Sequence, residues 1–121
     1  MSTLFKLFMK NINHIHPKDN EYLQILASID EPPKTLYYIG EIPEKRCITI
    51  SIVGSRKPTS YGREVTEQLA GELARHGAMI VSGLALGVDA IAHKAALDAG
   101  GTTIAVLANG LHRIYPATNR Q

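Results

Sequence analysis

The fold is decided by residues 48–57, which read ITISIVGSRK, and by residues 78–89, which read AMIVSGLALGVD. Each stretch is a short apolar run that ends in a glycine-containing turn and leads into a helical pattern. A strand that passes through such a turn into a helix leaves free backbone N–H groups and the positive end of the helix dipole at one place. That place suits an anion, usually a phosphate. The two stretches therefore predict a phosphate-recognising crevice.

The elements around these turns predict a parallel α/β sheet. Strands are expected at Ile48–Val53, Ala78–Val81 and Thr102–Ala108, with helices at Arg63–His76 and Asp89–Ala99. The order strand, helix, strand, helix, strand favours right-handed crossovers. Ligands of such sheets bind beyond the carboxyl ends of the strands, where the glycine turns lie. In the first helix Val65, Leu69 and Leu73 are predicted to face the core, with Ala70 and Ala74 widening that face, and Ser60 is a candidate N-cap.

The composition fits one small globular domain. The 121 residues are 45% hydrophobic and carry a formal net charge of only +2, so a polyanion site must be local. No apolar stretch approaches the roughly 20 residues of a membrane span. The single cysteine, Cys47, fits a reducing, cytoplasmic location and is predicted to be a buried hydrophobe. Four of the six prolines lie in residues 1–44, which predict an N-terminal extension before a core at 45–121.

The first turn contains Gly54, Ser55, Arg56 and Lys57. Glycine permits a close backbone approach, serine offers a hydroxyl, and a guanidinium can hold a phosphate with two hydrogen bonds. Lys57 adds positive charge. The alternative is a simple strand-to-helix turn in which Arg56 pairs with a carboxylate, and the position of the turn at the ligand-binding edge favours the phosphate site.

The second turn offers Ser82 as a hydroxyl donor to a phosphate, with Gly83 and Gly87 freeing the backbone. Asp89 opens the following helix, and His93 lies on the same helical face four residues later. An Asp–His pair can be a general base with its orienting carboxylate. It can also be a structural pair that tethers the helix start to the loop, and the lack of an accompanying nucleophile or ligand set favours that interpretation.

A third group follows the last strand. Arg113 extends a basic rim, and Tyr115 is predicted either to stack on a base or to pack within its loop. The histidines at positions 14, 16 and 112 lack metal-ligand spacing, so no metal is predicted. Neither glycine turn matches the phosphate-binding-loop motif or the dinucleotide-binding motif. No cofactor is therefore predicted.

A set of short motifs is spaced along residues 30–119 without a large gap. It comprises Pro33, Leu36–Gly40, Ile52–Arg56, Ser60–Gly62, Ile80–His93, Ala96–Leu107, Gly110 and Tyr115-Pro116. In this combination the chain resembles the DNA-processing protein A family, DprA, also called Smf. The resemblance implies an extended, three-layer Rossmann-like domain that binds single-stranded DNA and delivers it to the RecA recombinase in natural transformation, without catalytic turnover. The positions carried over are Gly54, Ser55 and Arg56 for one wall of the pocket, Ser82, Gly83, Ala85 and Gly87 for the other, and Asp89 and His93 as organisers of the second wall.

The chain departs from the family pattern in three places. It ends at Gln121, about where the first half of the family's core ends; only a short leader precedes the core; and His112 replaces a small acidic or amide residue. A three-stranded half-sheet leaves an edge of unpaired backbone, so we expect either a fragment or self-association as a homodimer. Two other functions stay open: an enzyme of the lysine-decarboxylase-like phosphoribohydrolase type, and a truncated remnant that binds no DNA.

Overall fold

The computed structural model describes residues 12–108, 110 and 111. Contacts within the chain form two compact units, of which the first ends at Cys47 and the second begins at Ile48. None of the helices in the described residues combines the length and the apolar character that crossing a membrane requires.

The first unit is a small hairpin with two 3-10 helices between its strands. In chain order its elements are β1 (Asn13–Ile15), 3-10 helices at Pro17–Asp19 and Leu23–Ser28, and β2 (Leu36–Tyr38). The two strands pair in antiparallel fashion, with His14 opposite Tyr37. The Asn20 side chain accepts a hydrogen bond from the Leu23 N–H at 2.8 Å and donates one to the Pro43 carbonyl at 3.0 Å. One buried amide thus ties the connection between the strands to the segment that follows them.

The second unit contains the predicted parallel sheet. In chain order its elements are β3 (Thr49–Ser51), α1 (Ser60–Arg75), β4 (Met79–Ser82), α2 (Val88–Asp98) and β5 (Thr103–Ala105). The strands are parallel and lie in the order β3-β4-β5. This order confirms the predicted α/β fold and the predicted sequence of elements. The last strand is shorter than the predicted Thr102–Ala108, and its pairing with β4 ends at Ala105.

One buried cluster joins both helices to the central strand. Its members are Ala70, Ala74, Ile80, Ala92 and Ala96. Small side chains let the two helices approach each other and the sheet closely. Because both helices share this cluster with β4, they cover the same face of the sheet. Among the described residues of this unit no helix covers the other face, so the second helical layer of the expected three-layer arrangement stays a prediction.

The buried face of α1 agrees with the predicted one except at Leu69. Leu69 was predicted to be buried but is 53% exposed, whereas the adjacent Ala70 has no exposed surface and Thr66 is buried. Ala74 is also buried and Leu73 packs against the buried cluster, as predicted. The small side chains of this face let α1 approach the alanine-rich α2 closely. The hydrophobic period therefore identified the helix and most of its buried face, but not the exposure of Leu69.

Two further predictions of detail were wrong. Thr59, rather than Ser60, is the N-cap of α1, since its hydroxyl oxygen accepts the Gly62 N–H at 3.0 Å. Cys47 is exposed rather than buried. The strand begins two residues later, at Thr49, so the thiol lies outside the sheet.

Candidate functional site

The loops that follow β3 and β4 meet at the start of α2. The Val88 N–H donates to the Ser55 carbonyl at 3.0 Å. Gly87 has φ +82°, and a Cβ on it would lie 2.6 Å from the Arg56 carbonyl carbon and oxygen. Gly54 is less confined, because a Cβ there would lie 3.0 Å from the side chain of Val88 rather than from backbone atoms. Gly87 therefore allows the two backbones to touch, and the expected convergence of the two turns is confirmed.

The basic side chains of the first loop face solvent. Arg56 and Lys57 are exposed, and neither takes part in the ion pairs of the described residues, which are Arg75–Glu72 and Lys94–Asp98. The Ser55 hydroxyl oxygen accepts the Lys57 N–H at 3.0 Å, which fixes the turn. The sequence from Cys47 to Arg63 contains three basic residues and no acidic one. The loop therefore carries local positive charge although the whole chain is nearly neutral.

The second wall is arranged differently from the prediction. Ser82 is 3% exposed, and its hydroxyl donates to the Ile52 carbonyl instead of facing a crevice. The Gly83 N–H donates to Oδ2 of Asp89 at 3.2 Å. These two residues thus tie the carboxyl ends of β3 and β4 to α2, and their polar hydrogens are directed into the protein.

Asp89 and His93 each form hydrogen bonds with the loop between β4 and α2 rather than with each other. Both are buried. The Asp89 carboxylate accepts from Gly83, and His93 Nε2 accepts the Leu84 N–H at 3.2 Å. Nδ1 of His93 lies 2.7 Å from the hydroxyl oxygen of Thr103. This arrangement agrees with the structural interpretation of the pair, since both side chains hold the segment between β4 and α2.

The environment of His93 favours its neutral form. Burial lowers its pKa from the ordinary value of 6.5, and the nearby Asp89 carboxylate opposes this change with a smaller effect. The geometry requires the same state, because Nε2 can accept the Leu84 N–H only while it carries no proton.

Several backbone N–H groups remain available where the two loops meet. Within the described part of the chain, no acceptor is found for the N–H groups of Ser55, Arg56, Leu86 and Gly87. Ala85 contributes its carbonyl, which accepts the Ala90 N–H at 3.1 Å. Free amides at the N-terminal end of a helix, beside an exposed guanidinium and ammonium, are an arrangement that suits an anion.

Some predicted residues cannot be placed, and some relevant residues were missed. Arg113 and Tyr115 lie outside the described residues. Within 12–108, 110 and 111, no three side chains of the types that bind metals are grouped as a metal site. Tyr61 is 76% exposed in the first turn of α1, and the exposed Arg63 follows it. Both were overlooked as site residues, although the acid-free run that ends at Arg63 would have indicated them.

The comparison with known proteins identifies the family. Residues 13–121 match the family described as DNA recombination-mediator protein A. The chain belongs to this family. It is 42% identical over 116 residues to protein Smf of Synechocystis sp., covering 93% of this chain and 29% of the relative. It is also 42% identical over 113 residues to the DNA processing protein DprA of Bacillus subtilis, covering 93% of this chain and 38% of that relative.

Solved DprA structures share the fold. The structure from Streptococcus pneumoniae superposes with a TM-score of 0.77 at 33% identity, over 95% of this chain and 40% of that one. The structure from Helicobacter pylori, described for its single-stranded DNA binding mode, has a TM-score of 0.70 at 37% identity, over 89% of this chain and 47% of that one. The chain thus spans less than half the length of the proteins that it matches.

The lowered pKa of His93 predicts a stability that falls in mild acid. The unfolded chain takes up a proton at His93 near pH 6.5, whereas the folded chain does so only at a lower pH. Stability is therefore complete above 6.5 and decreases as the pH falls toward the folded pKa, below which this contribution is constant. Urea unfolding across this range is the measurement. The His93→Gln variant, which keeps an acceptor but gains no proton, should show a flatter profile; identical profiles would contradict the assignment.

Proposed function

We propose that this chain binds single-stranded DNA through the crevice where the loop of Gly54–Lys57 meets the loop of Ala85–Gly87. The observation that carries the proposal is the juxtaposition of unbonded backbone N–H groups with the exposed side chains of Arg56 and Lys57. Membership of the recombination-mediator family and the single-stranded DNA binding of the Helicobacter pylori relative support it.

The chemistry of the crevice suits phosphates of a nucleic-acid backbone. Backbone amides and a guanidinium donate hydrogen bonds to phosphate oxygens without distinguishing bases. Tyr61, exposed at the start of α1, supplies an aromatic surface on which a base can stack. The predicted binding is therefore tolerant of sequence and strongly dependent on salt.

We further propose that the role is one of binding rather than catalysis. A general base needs a lone pair that is free to take a proton from a substrate. Asp89 accepts the Gly83 N–H and His93 accepts the Leu84 N–H, so both side chains are engaged with the loop, and both residues are buried. This engagement argues against the phosphoribohydrolase alternative, which needs a catalytic carboxylate at the site.

Delivery of the bound strand to the RecA recombinase and assembly as a homodimer complete the proposal. Both come from the family resemblance, and the description of the family as a recombination mediator supports the first. A cytoplasmic location accords with a role in which the protein meets RecA and incoming DNA. The single cysteine of the chain is consistent with a reducing compartment.

Substitution of Arg56 tests the proposal. Arg56→Ala is expected to weaken the binding of a thymidine oligonucleotide at low salt by about ten-fold, because a charge-assisted contact contributes about 1.5–3 kcal/mol. The slope of log affinity against log salt should decrease by about one. Fluorescence anisotropy over a salt series measures both quantities.

Arg75→Ala is the matched control. It removes the same charge from an exposed arginine near the end of α1, which pairs with Glu72 at 3.2 Å. The control should bind almost as tightly as the unmodified chain. Equal affinities and equal salt slopes for the two variants would contradict the proposed crevice.

A further inference from the structure

A chain of hydrogen bonds leads from β5 to the loop between β4 and α2. The Thr103 hydroxyl donates to the Ile80 carbonyl at 2.7 Å. The same hydroxyl oxygen lies 2.7 Å from Nδ1 of His93, and Nε2 of His93 accepts the Leu84 N–H at 3.2 Å. Thr103, His93 and Leu84 come from three different elements, yet each contact is of ordinary hydrogen-bond length.

The first contact fixes the direction of the second. A threonine hydroxyl has one proton, and here that proton is given to the carbonyl of Ile80. Only lone pairs of the Thr103 oxygen therefore face His93. A contact of 2.7 Å between them requires that Nδ1 carries the proton and donates it.

The tautomer of the imidazole follows directly. A neutral ring with a proton on Nδ1 has a lone pair on Nε2, which is the atom that faces the Leu84 N–H. The opposite tautomer would direct two N–H groups at each other. Of the charged groups, Asp89 is the one that acts on the ring, and its Oδ2 accepts from Gly83. The neutral ring with its proton on Nδ1 thus donates to the Thr103 oxygen and accepts from the Leu84 N–H.

We propose that Thr103 is a positioning residue for the nucleic-acid crevice: it selects the Nδ1-protonated tautomer of His93, and that tautomer holds Leu84 in place. Leu84 has φ +61°, a left-handed backbone conformation that residues other than glycine adopt only at a cost in free energy. A strained residue keeps such a conformation when its surroundings hold it. The loop that it begins carries the free N–H groups of Leu86 and Gly87, so Thr103 acts on the crevice without touching it. This inference rests on the proposed function only for its effect on DNA.

The paired variants Thr103→Val and Thr103→Ser test this role. Valine keeps the shape of threonine and removes the hydroxyl, whereas serine keeps the hydroxyl. Nitrogen NMR of the His93 ring reads the tautomer directly. In the unmodified chain and in Thr103→Ser we expect the proton on Nδ1; in Thr103→Val we expect this preference to be lost.

Amide hydrogen exchange reads the effect on the loop. Thr103→Val should raise the exchange rate of the Leu84 amide at least about five-fold relative to that of the Met79 amide, which corresponds to the loss of one hydrogen bond. The ratio to Met79 separates a local effect from a general loss of stability. The Met79 amide reports on the core, because it is buried and bonded to the Ile48 carbonyl on the other side of the central strand. Binding of a thymidine oligonucleotide should weaken by a similar factor and recover in Thr103→Ser.

The outcomes separate this inference from the proposed function. A proton on Nε2 of His93 in the unmodified chain, or an unchanged Leu84-to-Met79 exchange ratio in Thr103→Val, would overturn the role of Thr103 whether or not DNA binds. A changed tautomer and a faster Leu84 amide with unchanged DNA affinity would overturn its effect on the crevice. Failure of the unmodified chain to bind the oligonucleotide would overturn the proposed function and, with it, the claim that Thr103 positions a DNA site.

Discussion

Gly87→Ala is expected to lower the free energy of unfolding by about 3 kcal/mol or more and to reduce DNA affinity by more than the loss of a single side-chain contact. The added methyl group would meet the Ser55 carbonyl oxygen and lie 2.6 Å from the Arg56 carbonyl carbon. Both are backbone atoms, so the clash is relieved only by moving the loop. With φ +82° and ψ −130°, the residue also occupies a conformation that is nearly confined to glycine.

The loss of DNA affinity follows from the same displacement. The bond from the Val88 N–H to the Ser55 carbonyl joins the two loops, and a methyl group on Gly87 forces them apart. The amides of the first loop would then no longer lie beside those of the second. Chemical denaturation and oligonucleotide titration of the same preparation measure the two effects.

Gly100→Ala is the control for backbone conformation alone. Gly100 has φ +79°, but a Cβ there would meet no atom within 4 Å. We expect a cost of about 1–2 kcal/mol from the left-handed conformation and unchanged DNA affinity. If Gly87→Ala cost no more than Gly100→Ala and bound DNA equally well, the close contact between the loops would be refuted.

Ile80→Ala is expected to destabilise the chain by about 2–5 kcal/mol. Ile80 has no exposed surface and is the central member of the cluster shared by both helices and the sheet. Its truncation removes buried apolar contacts and leaves a cavity that the closely packed alanines around it cannot fill. Denaturation in urea measures the change.

Ile25→Ala makes the same chemical change at the surface. Ile25 is 68% exposed, so the substitution should alter stability by no more than about 0.5 kcal/mol. A difference between the two variants of less than about 1 kcal/mol would show that the cluster around Ile80 is not the core of the second unit.

The order and type of the elements followed from local patterns. The β-branched run before Gly54 and the alanine-rich run after Gly87 determined a strand and a helix, because their periods are set within a few residues of sequence. The convergence of the two turns also followed, since parallel strands place their carboxyl ends at one edge. The exposure of Leu69 did not, because the period places both Leu69 and Ala70 on the core face and only the packing of the neighbouring helix shows which of them is covered.

Local sequence patterns did not predict which acceptor each polar side chain would bond to in the folded chain. Ser82 was expected to donate to a ligand, but its hydroxyl donates across the sheet to Ile52, thirty residues away in the chain. Thr103 carried no signal at all, because its role depends on an imidazole from another element. Predicting that a serine or threonine is polar does not predict which acceptor the fold will place within reach.

The most direct test of the crevice is a titration of the amide resonances with a thymidine oligonucleotide. We predict the largest shifts at Ser55, Arg56, Leu86 and Gly87, whose N–H groups have no acceptor among the described residues. In Arg56→Ala the shifts of the other three should need about ten times more oligonucleotide to reach the same size. If those four resonances stayed in place while others moved on addition of DNA, the strand would bind elsewhere and the account given for the two loops would be wrong.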